Sequence, residues 1–385
     1  MEEPLSLSYS HSTELQLFMQ LKSWIAINPS FGCIWDCAYC IQHKDKFFNQ
    51  TNHREVKKLL INNSPYTPED IFNEILANPR ITPLTPLTFY NFSDPFLPQN
   101  SPDLIEILKR LDEREASNIV GLISKTLPEE SVLDEIADLE NLSVILLVSY
   151  AGYEDKRIET VPKEGRIELA KKAKSRKIPV LHYFRPIVKE WIKKGQLEKA
   201  RDDLGGFVDG VVMSGIRLTP EIIQVIRERN LPIPQVKNYT NKFFPREIQE
   251  EILHLYKGVA PVYRYTSCGV SSIFKIPDYN AHLNFLRHTQ RDMFLECPLP
   301  CRDEQKRVCE GFIKIEPIKI RSLLERINQE AADFREIRAG MIILNRELPK
   351  EDLTYLRHNT SLHIDYEENK HHIDQIANLE VKSQK

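Results

Sequence analysis

The sequence has little glycine and no long apolar segment. Only 13 of its 385 residues are glycine, against 24 prolines, which excludes collagen-like and low-complexity chains. The most apolar continuous run, Val144–Val148, is far shorter than the roughly 20 residues of a membrane-spanning helix. The first residues, Met1 to Glu3, lack the basic and apolar regions of a secretory signal peptide. We therefore expect a cytoplasmic protein without a membrane partner.

The motifs of several hydrolase classes are also absent. The sequence contains no Gly-x-x-x-x-Gly-Lys-Ser/Thr loop, no His-Glu-x-x-His pair and no Gly-x-Ser-x-Gly elbow. Nucleotide hydrolysis, zincin proteolysis and serine hydrolysis therefore lack support. The net charge of −3 excludes a strongly basic nucleic-acid protein. Residues 154–202 nevertheless hold 15 lysines and arginines against 8 acids, which suits either a phosphate-facing surface or solvated helices.

A regular alternation of strands and helices fills the first two thirds of the chain. Six short runs rich in β-branched and aromatic residues predict strands, and longer helical patterns lie between them. This order is typical of a parallel α/β sheet, here a partial (β/α)6 barrel, with its chemistry at the carboxyl ends of the strands. The runs are Trp24–Ile27, Leu87–Phe92, Ile119–Ser124, Ser143–Ser149, Ile178–Phe184 and Phe207–Met213.

Three of the predicted helices have a clear start signal. Thr67-Pro68, Ser101-Pro102 and Thr219-Pro220 each place a hydroxyl before a proline at the first helical position, with acidic residues following. A further helix is predicted from Arg246 to Tyr256, opened by Pro245.

The pattern predicts three regions. Residues 1–235 form the barrel, residues 236–312 form a region that contains four cysteines, and residues 313–385 form a small α+β extension with a polar tail. The tail, Glu367–Lys385, is rich in charge and is predicted to fray.

Three cysteines lie directly after the first predicted strand. Cys33, Cys37 and Cys40 have the spacing Cys-x3-Cys-x2-Cys. Three thiolates on one tight loop can hold three irons of a four-iron cluster and leave the fourth iron open to an outside ligand. The alternatives are a zinc site, which normally takes four ligands, or three unrelated core cysteines.

This motif resembles that of the radical S-adenosylmethionine enzymes. The resemblance implies a 4Fe-4S cluster whose open iron chelates S-adenosylmethionine, and reductive cleavage to a 5′-deoxyadenosyl radical that abstracts hydrogen from a substrate. It also implies an electron donor such as flavodoxin or ferredoxin. Tyr39 matches the aromatic residue that precedes the last cysteine in this family, which implies a position near the adenine.

Later segments resemble the spore photoproduct lyase branch of that family. Ser93–Pro98 is similar to its Thr-Asp-Pro-Tyr-x-Pro segment, and Ser124–Thr126 is similar to its Thr-Lys-Ser segment. Glu159, Pro162 and Arg166 match a Glu-Pro-Arg pattern before the next helix.

Five residues follow as candidate contacts of S-adenosylmethionine: Tyr39, Asp94, Lys125, Ser149 and Arg166. Lys125 is suited to neutralising a carboxylate, Ser149 to bonding a ribose hydroxyl, and Arg166 to holding a carboxylate through two hydrogen bonds. The alternative for each is a solvated polar residue at the end of a strand.

The other four cysteines are Cys268, Cys297, Cys301 and Cys309. Four thiolates can complete the shell of a second iron–sulfur cluster or of a zinc ion. A third interpretation is free or catalytic cysteines, in which Cys268 donates a hydrogen atom to a product radical. The nearby Tyr263 and Tyr265 are candidates for relaying a radical, with ordinary packing as the alternative. Small buried thiols in an apolar core are the plainest alternative.

Three hypotheses about function follow. The first is a radical S-adenosylmethionine enzyme acting on a small molecule, a peptide or RNA. The second is a lyase that repairs photodamaged DNA, and the third is a non-catalytic metal-binding scaffold. The sequence leaves open the substrate, the fate of S-adenosylmethionine, the metal of the second cysteine group and the oligomeric state.

Overall fold

The computed structural model of the chain describes residues 16–43, 54–235, 242, 244–282, 303–311, 316–329, 332, 334–338 and 341–366. Cys297 and Cys301 lie outside these residues, as does the predicted tail at Glu367–Lys385. Within the described part, no helix has the length and apolar character needed to cross a membrane.

The main sheet contains eight strands, which lie side by side in the order of the chain. The first pair is antiparallel, and each later neighbouring pair is parallel. Among the described residues, the ladders do not close the sheet into a complete barrel. The strands are β1 (Phe18–Leu21), β2 (Trp24–Ile27), β3 (Leu87–Phe89), β4 (Ile119–Ser124), β5 (Ser143–Ser149), β6 (Val180–Ile187), β7 (Gly210–Gly215) and β8 (Val262–Tyr263).

Helices connect the parallel strands. At least one helix lies between each pair of successive strands from β2 to β8, which is the arrangement that parallel pairing requires. The helices of this region are α1 (Pro68–Ala77), α2 (Ser101–Glu113), α3 (Glu130–Ala137), α4 (Lys163–Ser175), α5 (Gln196–Leu204), α6 (Pro220–Glu228), α7 (Arg246–Leu255) and α8 (Thr266–Phe274).

The six predicted strands are present, and the α/β fold class is confirmed. β5 is the clearest case, because six of its seven residues are buried and it reads as a continuous apolar run. The sequence analysis missed β1 and β8, which extend the sheet at its two edges.

The predicted helix starts are nearly right. Thr67 and Asp70 form a capping box, in which Thr67 Oγ1 accepts the Asp70 N–H at 3.1 Å and the Asp70 carboxylate accepts the Thr67 N–H at 2.9 Å. Thr219 Oγ1 accepts the Ile222 N–H at 3.3 Å. The third prediction was off by one residue, because Asn100 occupies the N-cap of α2 and Ser101 is already helical.

A smaller unit with its own apolar core follows the main sheet. After α9 (Asp303–Gly311) come α10 (Pro317–Arg326), β9 (Phe334–Arg338), β10 (Met341–Leu344), α11 (Lys350–Thr360) and β11 (His363–Tyr366). β10 lies between an antiparallel and a parallel neighbour.

Side-chain contacts fix this unit to the start of the barrel. Arg80 Nε donates to Asp352 at 2.9 Å, and Arg326 Nε donates to the Pro79 carbonyl at 2.8 Å. His358 Nε2 lies 3.1 Å from the Lys22 carbonyl, beside the β1–β2 turn. The proposed boundaries at residues 235 and 312 stay predictions.

Gly121 in β4 provides a test of the packing between neighbouring strands. A β-carbon there would lie 3.0 Å from Trp24 Cζ3 and 3.3 Å from Leu147 Cδ1. Gly121→Val is therefore expected to overpack this site and to lower the free energy of unfolding by about 1–3 kcal/mol in urea titrations. Gly206→Val is the control, because a β-carbon at Gly206 meets no atom within 4 Å. Equal losses in the two variants would contradict the packing argument.

Candidate functional site

The loop that carries Cys33, Cys37 and Cys40 leaves the carboxyl end of β2. Its backbone turns at Gly32, where φ is +89°, a value that glycine adopts without strain. The Ala38 N–H donates to the Ile158 carbonyl at 2.8 Å. The loop is therefore pinned to the segment between β5 and α4.

Asp36, in the middle of this loop, accepts hydrogen bonds from two arginines. Arg54 and Arg229 both donate to its carboxylate, and the Asp36 N–H donates to Thr160 Oγ1 at 3.0 Å. Arg229 is the C-cap residue of α6, so a late helix of the barrel holds the cysteine loop.

The three thiols lie in a poorly solvated place. Burial raises the pKa of the Cys33 and Cys37 thiols, and it raises the pKa of the Cys40 thiol to about 11. The Lys125 ammonium lowers the pKa of Cys37 and so opposes the effect of burial, because its Nζ lies 3.5 Å from Cys37 Sγ. Thiolates in such a site need a bound cation as their counter-charge.

The donor chemistry of this loop fits an iron–sulfur cluster. In a four-iron cluster each thiolate binds a different iron, so the sulfurs need not converge on one point. Three thiolates on one loop are the donor set that such a cluster takes.

A buried ionic network lies against the cysteine loop. Lys125, which directly follows β4, donates to Glu159 Oε2 at 2.8 Å and also bonds the Tyr39 hydroxyl. Arg166, in α4, donates to the other oxygen of Glu159, and the Tyr39 hydroxyl donates to Oε2. One carboxylate thus joins two cations and a residue of the cysteine loop.

The charge state of Glu159 follows from these contacts. Burial alone would raise its pKa, but Lys125 and Arg166 outweigh that effect and hold the pKa of Glu159 at about 2. The carboxylate is therefore ionised at neutral pH. The neighbouring thiolate of Cys37 and this carboxylate together raise the pKa of Lys125 against the effect of burial.

The five predicted cofactor contacts differ in how the structure places them. Tyr39, Lys125 and Arg166 meet at Glu159, whereas Asp94 and Ser149 lie on either side of this network. The buried Asp94 carboxylate accepts from Ser124 Oγ at 2.7 Å and from the Lys125 and Phe96 N–H groups at 2.8 and 3.0 Å. The Ser149 carbonyl lies 3.5 Å from Arg166 Nη1. Their contacts with S-adenosylmethionine stay predictions.

Glu159 is the main site residue that the sequence analysis did not select. It entered that analysis only as part of the Glu-Pro-Arg pattern, in which Arg166 lies seven positions further along the chain. A single acidic residue in a polar segment does not indicate, from the sequence alone, that Lys125 after β4 and Arg166 of α4 will both bond to it. Trp35 is another contact of the loop, since its Nε1 donates to Thr126 Oγ1 at 2.8 Å.

Tyr265 and Cys268 lie at the start of α8, where Tyr265 is the N-cap residue. The Tyr265 ring stacks on His282 with 3.9 Å between ring centroids, and Cys268 Sγ lies 3.7 Å from His282 Nδ1. Cys309 is buried and accepts the Asp278 N–H at 3.4 Å. With Cys297 and Cys301 outside the described residues, the four-cysteine site stays a prediction.

The lysine- and arginine-rich segment at residues 154–202 is largely neutralised. Ten of its fifteen cations form ion pairs with acids, which leaves little uncompensated charge on these helices. This favours the solvated-helix interpretation over a phosphate-facing surface.

A second group of cations lies nearer the cysteine loop. Arg185, near the end of β6, lowers the pKa of Lys242 to about 8, with burial and Arg217 adding to the effect. Arg185 also acts to lower the pKa of Cys40, so its charge reaches the cysteine loop. Its Nη1 donates to the Tyr183 hydroxyl at 2.8 Å. Positive charge at this edge of the sheet suits an anionic group.

A groove of about 1050 Å³ adjoins the site at Trp35 and Lys125. Most of its other lining residues come from α2 and α3, on the helical side of the sheet. The groove therefore begins at the edge where the cysteine loop and the ionic network meet, and it continues along α2 and α3.

The described residues combine a partial barrel of parallel strands with a three-cysteine loop after the strand that begins the parallel series. The comparison with solved structures shows a similar fold: a single-site mutant of spore photoproduct lyase aligns with a TM-score of 0.50 and 14% identity, over 66% of this chain and 79% of that chain.

Other solved structures align less well. A spore photoproduct lyase double mutant with bound AdoMet and dinucleoside spore photoproduct has a TM-score of 0.48 and 14% identity, over 66% of this chain and 81% of that chain. SuiB of Streptococcus suis bound to S-adenosylmethionine has a TM-score of 0.42 and 12% identity, over 62% of this chain and 49% of that chain. No family model and no curated protein matches the sequence.

Glu159→Gln tests whether the carboxylate holds the ionic network. The change leaves Lys125 and Arg166 buried beside a neutral amide, so the free energy of unfolding is expected to fall by about 3–5 kcal/mol. Glu154→Gln is the matched control, because Glu154 is an exposed glutamate that lies 3.6 Å from Lys163 and 3.8 Å from Lys199. It is expected to lose far less stability in the same urea titration. Similar losses in both variants would argue against a central role for Glu159.

Proposed function

We propose that this chain is a radical S-adenosylmethionine enzyme. The observation that carries the proposal is the position of Cys33, Cys37 and Cys40 at the carboxyl end of β2, directly against the Lys125–Glu159–Arg166 network. In parallel α/β sheets this edge is where ligands bind and catalysis takes place.

In this proposal, Cys33, Cys37 and Cys40 would hold a 4Fe-4S cluster, and S-adenosylmethionine would bind beside it. Together they would supply, on one-electron reduction, the 5′-deoxyadenosyl radical chemistry by which hydrogen is abstracted from a substrate. An electron donor of the flavodoxin or ferredoxin type would deliver the electron.

The protein's own residues have distinct tasks. Lys125 stabilises the Cys37 thiolate, since its ammonium lies 3.5 Å from the sulfur, and Glu159 fixes that ammonium in place. Arg166 is fully buried and occupied by Glu159, so it acts as a positioning residue and not as a direct ligand of a carboxylate. Tyr39 belongs to the cysteine loop, and its hydroxyl bonds Lys125 and Glu159, so it holds the loop against the network beside the position assigned to the adenine.

Ser149 and Asp94 complete the proposed binding site. Ser149 ends β5 and is assigned to a ribose hydroxyl of S-adenosylmethionine. Asp94 acts through the backbone, because its carboxylate accepts the N–H groups of Lys125 and Phe96 and so shapes the turn that presents the lysine.

Positive charge near the cysteine loop narrows the class of substrate that we propose. Arg185, Lys242 and Arg217 carry positive charge at the edge where the cysteine loop lies, which supports a substrate with an anionic group. A small molecule, a peptide or RNA meets this requirement. Repair of photodamaged DNA is the alternative, and the ion-paired helices of residues 154–202 offer neither DNA nor RNA a broad cationic surface.

The proposal predicts that the chain binds iron and cleaves S-adenosylmethionine. After anaerobic reconstitution, the wild-type chain is expected to form 5′-deoxyadenosine when S-adenosylmethionine and dithionite are added. The variant with Cys33, Cys37 and Cys40 all changed to Ala is expected to lose about four irons per chain and this activity. Iron and sulfide content and chromatography of the nucleoside product measure both effects.

Two outcomes would contradict the proposal. Equal product from the wild type and the triple variant would place the chemistry elsewhere, and an iron-free wild type after competent reconstitution would support the metal-binding scaffold instead. Circular dichroism of the triple variant checks that its fold is retained.

A further inference from the structure

A second group of metal-ligating side chains lies beyond the barrel's cysteine loop. Cys268 belongs to the first turn of α8, and Asp278 and His282 follow in the segment after that helix. One potential ligand atom from each of the three residues lies within 4.8 Å of the other two. Asp278 and His282 are buried, at 5% and 9% exposure.

The three side chains converge on one point. His282 Nδ1 lies 2.8 Å from Asp278 Oδ2 and 3.7 Å from Cys268 Sγ. A catalytic relay of Cys, His and Asp uses the two different nitrogens of the imidazole ring, one for the nucleophile and one for the carboxylate. Here the same nitrogen faces both partners, which is the geometry of ligands around a shared centre.

The spacing is close to that of a tetrahedral zinc ion. With zinc about 2.3 Å from sulfur and about 2.0–2.1 Å from nitrogen or oxygen, two ligand atoms lie roughly 3.3–3.6 Å apart. The 3.7 Å between Sγ and Nδ1 already meets this distance. The 2.8 Å between Nδ1 and Oδ2 has to open by roughly half an ångström, which a rotation of the carboxylate supplies.

We propose that Cys268, Asp278 and His282 bind a zinc ion. Thiolate, imidazole and carboxylate are the three side-chain ligand types that zinc takes in proteins. Stacking on Tyr265, with 10° between the ring planes, fixes the orientation of the His282 imidazole before the metal binds. The inference is independent of the radical chemistry proposed above.

The zinc ion would join elements that are distant in the chain. Asp278 is attached to α9 through its N–H, which donates to Cys309 Sγ at 3.4 Å, and Gln305 Nε2 donates to the Ile276 carbonyl at 2.7 Å. Thr266 Oγ1, two residues before Cys268, lies 3.2 Å from the Tyr183 hydroxyl of β6. The metal therefore fixes α8 and the loop after it between the barrel and α9.

This assignment differs from the four-cysteine site in its ligands. That site takes Cys268 with Cys297, Cys301 and Cys309, and all four ligand atoms are sulfur. The zinc site proposed here shares only Cys268 with it and contains one sulfur, one nitrogen and one oxygen from the described residues. The two assignments therefore predict different coordination shells.

Zinc K-edge X-ray absorption of the full-length wild-type chain, reconstituted with iron first and with one equivalent of zinc afterwards, distinguishes them. A shell that mixes one sulfur at about 2.3 Å with nitrogen and oxygen at about 2.0–2.2 Å is expected. A shell of four sulfurs, or no retained zinc after desalting, would overturn the proposal. This measurement needs no variant and reads zinc separately from iron.

Zinc titration of variants provides the second arm. Asp278→Asn and His282→Gln are each expected to weaken zinc binding at least tenfold. Asp202→Asn and His254→Gln make the same changes at positions outside the site and are expected to leave zinc affinity unchanged. Unchanged affinity in Asp278→Asn and His282→Gln, with loss in Cys297→Ser and Cys301→Ser, would reject the mixed site in favour of the all-cysteine one.

Discussion

The site depends on one buried carboxylate between two cations. Glu159 accepts from Lys125 and Arg166 at once, and all three side chains are withdrawn from water. Burying Lys125 and Arg166 without this anion would cost much free energy. The segment that carries Glu159 is therefore held between these two cations. Because Tyr39 bonds the same carboxylate, the cysteine loop takes its position from this ionic contact.

The order of the strands explains why these residues meet. Every neighbouring pair from β2 to β8 is parallel, so the segments that follow β2, β4 and β5 emerge at the same edge of the sheet. Cys37 follows β2, Lys125 follows β4, and Glu159 lies in the connection after β5. Residues more than 100 positions apart are thereby brought into hydrogen-bond contact.

Local patterns in the sequence account for most of the sheet. β4 and β5 were predicted residue for residue, since buried parallel strands read as continuous apolar runs. β1 has the sequence Phe-Met-Gln-Leu and is only half-buried, so it lacks both the run and the alternation that mark a strand. The cysteine spacing singled out the loop of Cys33, Cys37 and Cys40, whereas Glu159 and the Asp278–His282 pair acquire their surroundings only through tertiary contacts.

The contact between Asp36 and Arg229 has a consequence for biosynthesis. Arg229, at the end of α6, follows Asp36 by 193 positions in the chain. At about 5–20 residues per second, a ribosome needs roughly 10–40 s to add that length of chain. During nearly all of that interval the three cysteines have been made while Arg229 has not, so the nascent chain presents a cysteine loop that lacks part of its support. The loop can take its final form only after Arg229 has been added to the chain.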